Sequence, residues 1–203
     1  MKKIMFLSLF VFLNGCATSS VKYTAPSEKE VINEVVINEK FDVVWNRLVR
    51  KLSSDFFVIN NIEKDSRIIN ASFSSNSPAQ YIDCGISVRK FSNARGDNTY
   101  VYNPAESTRY TTTQGGHLIN VNRASKLKGR VNIYVAPVLD KTTVSVNAKY
   151  VNTVNFKFYD VVHTFIKSDS FVFDLATKTP HRNPEITCFS TGRLEKMILD
   201  YAK

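Results

Sequence analysis

Apolar residues recur along the chain with two distinct periods. Phe41, Val44, Trp45, Leu48, Val49 and Leu52 fall at i, i+3, i+4, i+7, i+8 and i+11, which places them on one face of an amphipathic helix. Asp42 near its start and Arg50 and Lys51 near its end suit the helix dipole. Leu194, Met197, Ile198 and Tyr201 repeat the pattern near the end of the chain, with Thr191 or Gly192 as the cap and Glu195 in the first turn.

Between these helices the period drops to two. Val31 to Ile37 reads as a first strand. Phe56 to Ile62 and Arg67 to Phe73 flank Glu63-Lys64-Asp65-Ser66 as a hairpin. Ile82, Cys84, Ile86 and Val88 alternate with Asp83, Gly85, Ser87 and Arg89, the mark of a half-buried strand. Val131 to Val135 and Val144 to Tyr150 alternate around a turn at Leu139-Asp140-Lys141. Val154, Phe156 and Phe158 continue the sheet, as do Phe171, Phe173 and Leu175. Ile186 to Phe189 is a last short strand. Neither helix could hold its shape alone in water, so each must bury its stripe on the sheet. The expected class is α+β: an antiparallel sheet of about six strands packed against two amphipathic helices.

The first residues follow a different logic. Lys2 and Lys3 precede an apolar run from Ile4 to Leu13, interrupted only by Ser8. That run is too short to span a bilayer, which needs ~20 residues, and suits the core of an export signal. Leu13-Asn14-Gly15-Cys16 then resembles the lipobox of bacterial lipoproteins. The resemblance implies cleavage after residue 15 and acylation of Cys16, an anchor held by two or more chains. Ala17 after the cysteine implies sorting to the outer membrane, with the domain facing the periplasm. Residues 16–30 are expected to be the lipidated cysteine and a flexible tether, and 31–203 a single domain.

A strand, the helix Phe41-Asp42-Val43-Val44-Trp45 through Leu52, then Phe57-Val58-Ile59 and Arg67-Ile68-Ile69, an antiparallel sheet and a closing helix follow the lipobox. This order resembles the helix-grip repeat of the C subunit of the β-barrel assembly machinery and of related small outer-membrane lipoproteins. The resemblance implies an accessory or scaffold role without catalytic residues.

Export bears on the cysteines. An oxidising compartment makes a Cys84–Cys188 disulfide plausible, closing a loop of about a hundred residues for roughly 4–5 kcal/mol in the chain-entropy model; two separate buried thiols are the alternative. No metal or cofactor is expected, because there is no CxxC pair and His117, His163 and His181 are scattered. No nucleophile elbow, phosphate loop or HExxH occurs.

Charge singles out one region. The formal net charge is +9. Arg89, Lys90, Arg95, Arg109, Arg123, Lys126, Lys128 and Arg130 lie within residues 89–130, opposed only by Asp97 and Glu106 and interleaved with Tyr100, Tyr102 and Tyr110. Residues 92–127 show neither period and read as a long irregular basic insertion. It is either a surface for phosphate, carboxylate or sugar, or a disordered loop. The partners this implies are the membrane through the acyl chains, an envelope protein complex, and an anionic envelope polymer. Nucleic acid is not expected in that compartment. Two rival readings stand beside the scaffold: a domain binding lipid or a small apolar ligand between helix and Phe-rich strands, and an envelope hydrolase built on His163 or His181.

Overall fold

The computed structural model of the chain describes residues 17–203; residues 1–15, read as an export signal, and Cys16 lie outside the described residues. The chain opens with β1 (Thr18–Thr24) and β2 (Glu34–Ile37), then α1 (Phe41–Ser54). The hairpin of β3 (Val58–Glu63) and β4 (Ile68–Ser75) follows, then β5 (Ile82–Asp83), β6 (Ile86–Asn93), β7 (Gly96–Tyr102) and β8 (Thr108–Gln114). Two long strands come next, β9 (His117–Val138) and β10 (Lys141–Tyr159), then β11 (Phe165–Ala176), β12 (His181–Arg182), β13 (Thr187–Ser190) and α2 (Arg193–Ala202).

The expected α+β class is what forms, with seven strands in the main sheet. β9 and β10 pair over nineteen residues from Lys141↔Val138 to Tyr159↔Asn120. Each edge of this ladder is shared by two strands. On the β9 side, β4 covers residues 127–134 and β8 covers 117–123. On the β10 side, β2 covers residues 142–145 and β11 covers 149–159. β3 extends the sheet beyond β4.

The helices cover one half of one face. Val44, Trp45, Leu48 and Leu52 of α1 and Leu194, Ile198 and Ala202 of α2 are buried against Ile69, Phe73, Val131, Ile133, Val144, Val146 and Tyr150. Gly129 is necessary here, because a Cβ would stand 2.0 Å from the Phe73 ring. Arg47 ties the helices together: its guanidinium donates to both Glu39 carboxylate oxygens at 3.1 Å and to the Ala202 carbonyl at 3.2 and 2.7 Å.

Under α2 lies a polar knot. Glu195, which the sequence suggests as a dipole partner on the first turn, is fully buried. The Tyr150 hydroxyl is 3.1 Å from both of its carboxylate oxygens. Thr177 donates to it at 2.9 Å while accepting the Ala148 N–H, and Ser190 donates at 3.3 Å while accepting the Gly192 N–H. Three hydroxyls from β10, the end of β11 and β13 thus satisfy one carboxylate, the condition under which a buried charge is tolerated. Burial first, and the adjacent carboxylate second, push the Tyr150 phenol far above its ordinary pKa.

Several expectations are corrected. Residues 18–24, expected within the tether, form β1 paired with β6 from Thr18↔Ser92 to Thr24↔Ile86. The Tyr23 hydroxyl bonds both the N–H and the carbonyl of Thr187. Residues 92–127 are not an irregular insertion: they hold β7, β8 and the start of β9. In β7 and β8 the inward side chains are Tyr and Thr, so the aliphatic alternation that announces a strand is missing there; at the start of β9 buried Ile119 and Val121 do alternate with Asn120 and Asn122, but Arg123 interrupts the series. Ile82 to Val88 is not one strand. Gly85, at φ +75°, breaks it, leaving Ile86 exposed and Ser87 buried. A Cβ at Gly85 would meet the Thr24 carbonyl at 2.2 Å, so glycine permits both the turn and the approach of β1.

Cys84 and Cys188 form a disulfide, with Cα atoms 4.1 Å apart, stapling the β5 end to β13. Replacing both by alanine is expected to cost about 4–5 kcal/mol in denaturant unfolding, the loop-closure entropy of a hundred-residue ring.

A phenol whose folded pKa is raised keeps its proton where the unfolded tyrosine loses it. Its contribution is full below about pH 10 and is lost as pH rises further. Stability should therefore fall above about pH 10. Tyr150→Phe should lose about 1–3 kcal/mol at neutral pH, because Glu195 forfeits a buried donor. It should also flatten the alkaline slope, as read by unfolding across a pH series.

Candidate functional site

The eleven cationic and tyrosine positions singled out in the sequence are brought together in part and divided by function. β6 and β7, with β1, form a separate three-stranded sheet whose inner face lies over the half of the ladder that the helices leave bare. The interface is a stack. The Arg89 guanidinium sits 4.4 Å from the Tyr110 ring centroid, and Tyr110 stacks on Tyr102 at 5.9 Å and 6°. Arg123 lies between Tyr102 at 5.5 Å and Phe156 at 5.3 Å. Phe156 stacks on Phe158 at 6.2 Å, and Lys167 lies 5.0 Å from Phe158. Each cation over a ring contributes ~0.5–2 kcal/mol, more when desolvated.

Arg123 is only 9% exposed. Burial lowers its pKa, and the neighbouring Tyr102 and Tyr110 oppose that shift. Burial raises the Tyr110 pKa, and Arg89 opposes it. The Nε atoms of Arg89 and Arg123 have no acceptor among the described residues; Arg89 donates from Nη1 to the Thr112 hydroxyl at 3.2 Å, and ring faces flank both guanidinium groups. Arg89, Tyr102 and Arg123 are therefore mortar between two sheets. Their contacts run to ring faces, unlike the exposed cations of β9.

Tyr100, Arg109 and Tyr110 line a cleft of about 440 Å³ at one end of the ladder, with Asn120, Tyr159 and His163. Asn120 and Tyr159 were not legible in the sequence, because only the β9–β10 register sets them opposite each other; His163, a candidate for the hydrolase reading, stands in this cleft without a carboxylate among its lining residues. Asn120 is committed within the fold: it accepts from Thr111 at 2.9 Å and donates to the Asp160 carbonyl at 3.1 Å. His163 occupies the β10–β11 turn at φ +64°. His181 stands 5.1 Å from the Phe173 ring and bonds Asn183.

Lys126, Lys128 and Arg130 point away from both covers. They alternate with buried Ser125, Leu127 and Gly129 on β9 and lie exposed on the outer face of the main sheet. Across the ladder they face Thr153, Val151 and Lys149. Lys149 pairs with Asp174 at 3.0 Å, and Lys157 continues the basic character of this face. Beside Arg130, a cleft of about 450 Å³ is walled by Asn60, Asn70, Ser72 and Asn132. Exposed Tyr134 and Val172 add apolar area to the same face. Lys149 was legible as part of an alternating polar face, but its neighbourhood with Lys128 and Arg130 depends on register. Lys90 is exposed on the outer side of the small sheet, and Arg95 on its β6–β7 turn.

No protein-family model, curated protein or solved structure matches the chain.

The division makes a direct prediction. Arg123→Ala should destabilise the fold by about 2 kcal/mol or more, as desolvated stacked cations do. Lys128→Ala should stay within about 0.5 kcal/mol of the parent. Thermal unfolding of the two variants measures both.

Proposed function

We propose that this protein is a lipid-anchored scaffold of the bacterial envelope. Acyl chains on Cys16 hold it at the periplasmic face of the outer membrane, and the outer face of its main sheet docks an acidic surface of an envelope protein complex. The observation that carries this reading is the row Lys126, Lys128, Arg130. These three cations stand ~7 Å apart along one strand, exposed, with no ion pair to another described residue. Around them the sheet offers amide and hydroxyl side chains and exposed apolar side chains, Val58, Tyr134 and Val172 among them, the mixture of polar and apolar area found in transient interfaces.

Two observations support the compartment. Leu13-Asn14-Gly15-Cys16 reads as a lipobox. The Cys84–Cys188 disulfide suits an oxidising space. No described helix is long and apolar enough to cross a membrane. The scaffold role is also what the resemblance to the assembly-machinery subunit implies. Charge complementarity of this kind speeds encounter and fixes register more than it adds affinity, and it weakens with salt.

Mild crosslinking in intact cells, followed by purification, should enrich specific envelope proteins. The triple variant Lys126→Glu, Lys128→Glu, Arg130→Glu should lose that recovery at least about tenfold, the change set by losing roughly 1.4 kcal/mol, with unfolding temperature unchanged. Recovery of abundant porins alone, equal for parent and variant, would reject the reading. Cys16→Ser should leave the chain unprocessed and out of the outer-membrane fraction.

A further inference from the structure

Three chain reversals and the start of the first strand meet at one end of the molecule. Thr18 pairs with Ser92, next to the β6–β7 turn at Asn93–Gly96. The hydroxyl of Ser19 lies 2.8 Å from that of Thr113 and accepts the Thr113 N–H at 3.2 Å, beside the Gly115-Gly116 turn between β8 and β9. Across β9, Asn120 pairs with Tyr159 and donates to the Asp160 carbonyl, where the β10–β11 turn begins. The first described residues therefore stand two or three strand spacings, roughly 10–15 Å, from that turn.

The β10–β11 turn is apolar and built to stay in place. Val161 is 60% exposed, Val162 74%, Phe165 55% and Ile166 48%. Asp160 Oδ1 accepts the N–H groups of Val162 and Thr164, and the Asp160 N–H donates to the Thr164 carbonyl. Phe165 packs edge-on against Tyr159 at 6.0 Å. Four apolar side chains are thus displayed on a hydrogen-bonded turn, a cluster that soluble surfaces rarely show without a partner. Lys157 and Lys167 lie on the strands that lead into and out of this turn, and Arg109 lines the cleft beside it with Tyr159 and His163. The Asp160 carboxylate is spent on its own turn.

We infer that this end of the molecule lies on a phospholipid bilayer, with Val161, Val162, Phe165 and Ile166 dipping into the headgroup boundary. The inference rests on the reading of Cys16 as lipid-bearing. What selects lipid over other occupants is the length of chain between anchor and fold. Ala17 alone separates Cys16 from Thr18, the first residue of β1, and two residues reach at most ~7 Å. An acyl chain on Cys16 leaves no slack for this end to stand away from the membrane. The side chains then meet the environment they suit: apolar tips below, with Lys and Arg stems able to reach back to the phosphates.

The test uses the mature protein purified from membranes and reconstituted in vesicles of phosphatidylethanolamine and phosphatidylglycerol, with and without bromine-labelled acyl chains. Val162→Trp reports on the turn. Leu139→Trp reports on the opposite end of the ladder, at a still more exposed position in the other long-hairpin turn. Brominated lipid should quench the emission added at 162 at least twofold and leave that at 139 unchanged. Equal quenching at both, or none at 162, overturns the inference. A blue shift at 162 that persists without quenching shows a protein surface covering the turn, and overturns it too. Intact mass reports acylation of Cys16 separately. If that cysteine carries no lipid, the proposed anchor fails, and the same quenching measured on the free chain mixed with vesicles decides the turn by itself.

Discussion

The ladder of β9 and β10 sets the problem that the rest of the fold solves. Nineteen paired residues extend ~60 Å at the rise of a strand, whereas the fourteen residues of α1 cover only ~21 Å. No single helix can bury such a face. The chain covers it in two pieces with different chemistry. Near the Leu139-Asp140 turn, aliphatic residues meet α1 and α2, and the buried Glu195 knot fixes α2 in register. Toward Tyr159, the same face carries Tyr110, Arg123, Phe156 and Phe158, and meets the small sheet of β1, β6 and β7 through stacked rings and guanidinium groups. Asn152 marks the seam: buried, it accepts from Ser125 and donates to the Ala105 carbonyl.

This division explains which parts of the fold were legible in the sequence. α1, α2 and the strands beneath them announce themselves because their burial is aliphatic, and aliphatic burial writes its period into the chain. The disulfide was legible as a possibility from compartment and count. β7 and β8 were not, since their inward positions include Tyr102 and Tyr110, residues that hydropathy scores as polar or neutral; at the start of β9 the alternation of buried Ile119 and Val121 with Asn120 and Asn122 was present but broken by inward Arg123. β1 was hidden for a different reason. Its neighbours in space, Ser92 and Thr187, are seventy or more residues away, and nothing local in Thr-Ser-Ser-Val-Lys-Tyr-Thr demands a strand. Glu195 shows the converse failure, as a charged residue at a helix start looks like a surface residue until three distant hydroxyls are seen around it.

The candidate surface shows the same limit. The sequence concentrates cations between residues 89 and 130, but charge density along a chain does not say which side of a strand a residue takes. Parity decides it here. Arg123 points inward and binds two sheets together, while Lys126, three residues on, points outward to solvent. Stability and recognition are thus assigned to alternate positions of one strand, and substitutions in the two sets should be separable in their effects.

The stiffness of the long ladder also has a metric consequence. A twisted two-stranded ladder backed by helices at one end and by a second sheet at the other has no hinge along its length, so it acts as a ruler. Were its Tyr159 end seated at headgroup level, Lys126 and Arg130 would stand ~20 and ~33 Å above the lipid, by counting residues along β9 from Asn120. A docking protein would be met at that altitude and at no other, and lengthening or shortening the ladder by two residues would raise or lower it by ~7 Å while keeping every side chain on its own face.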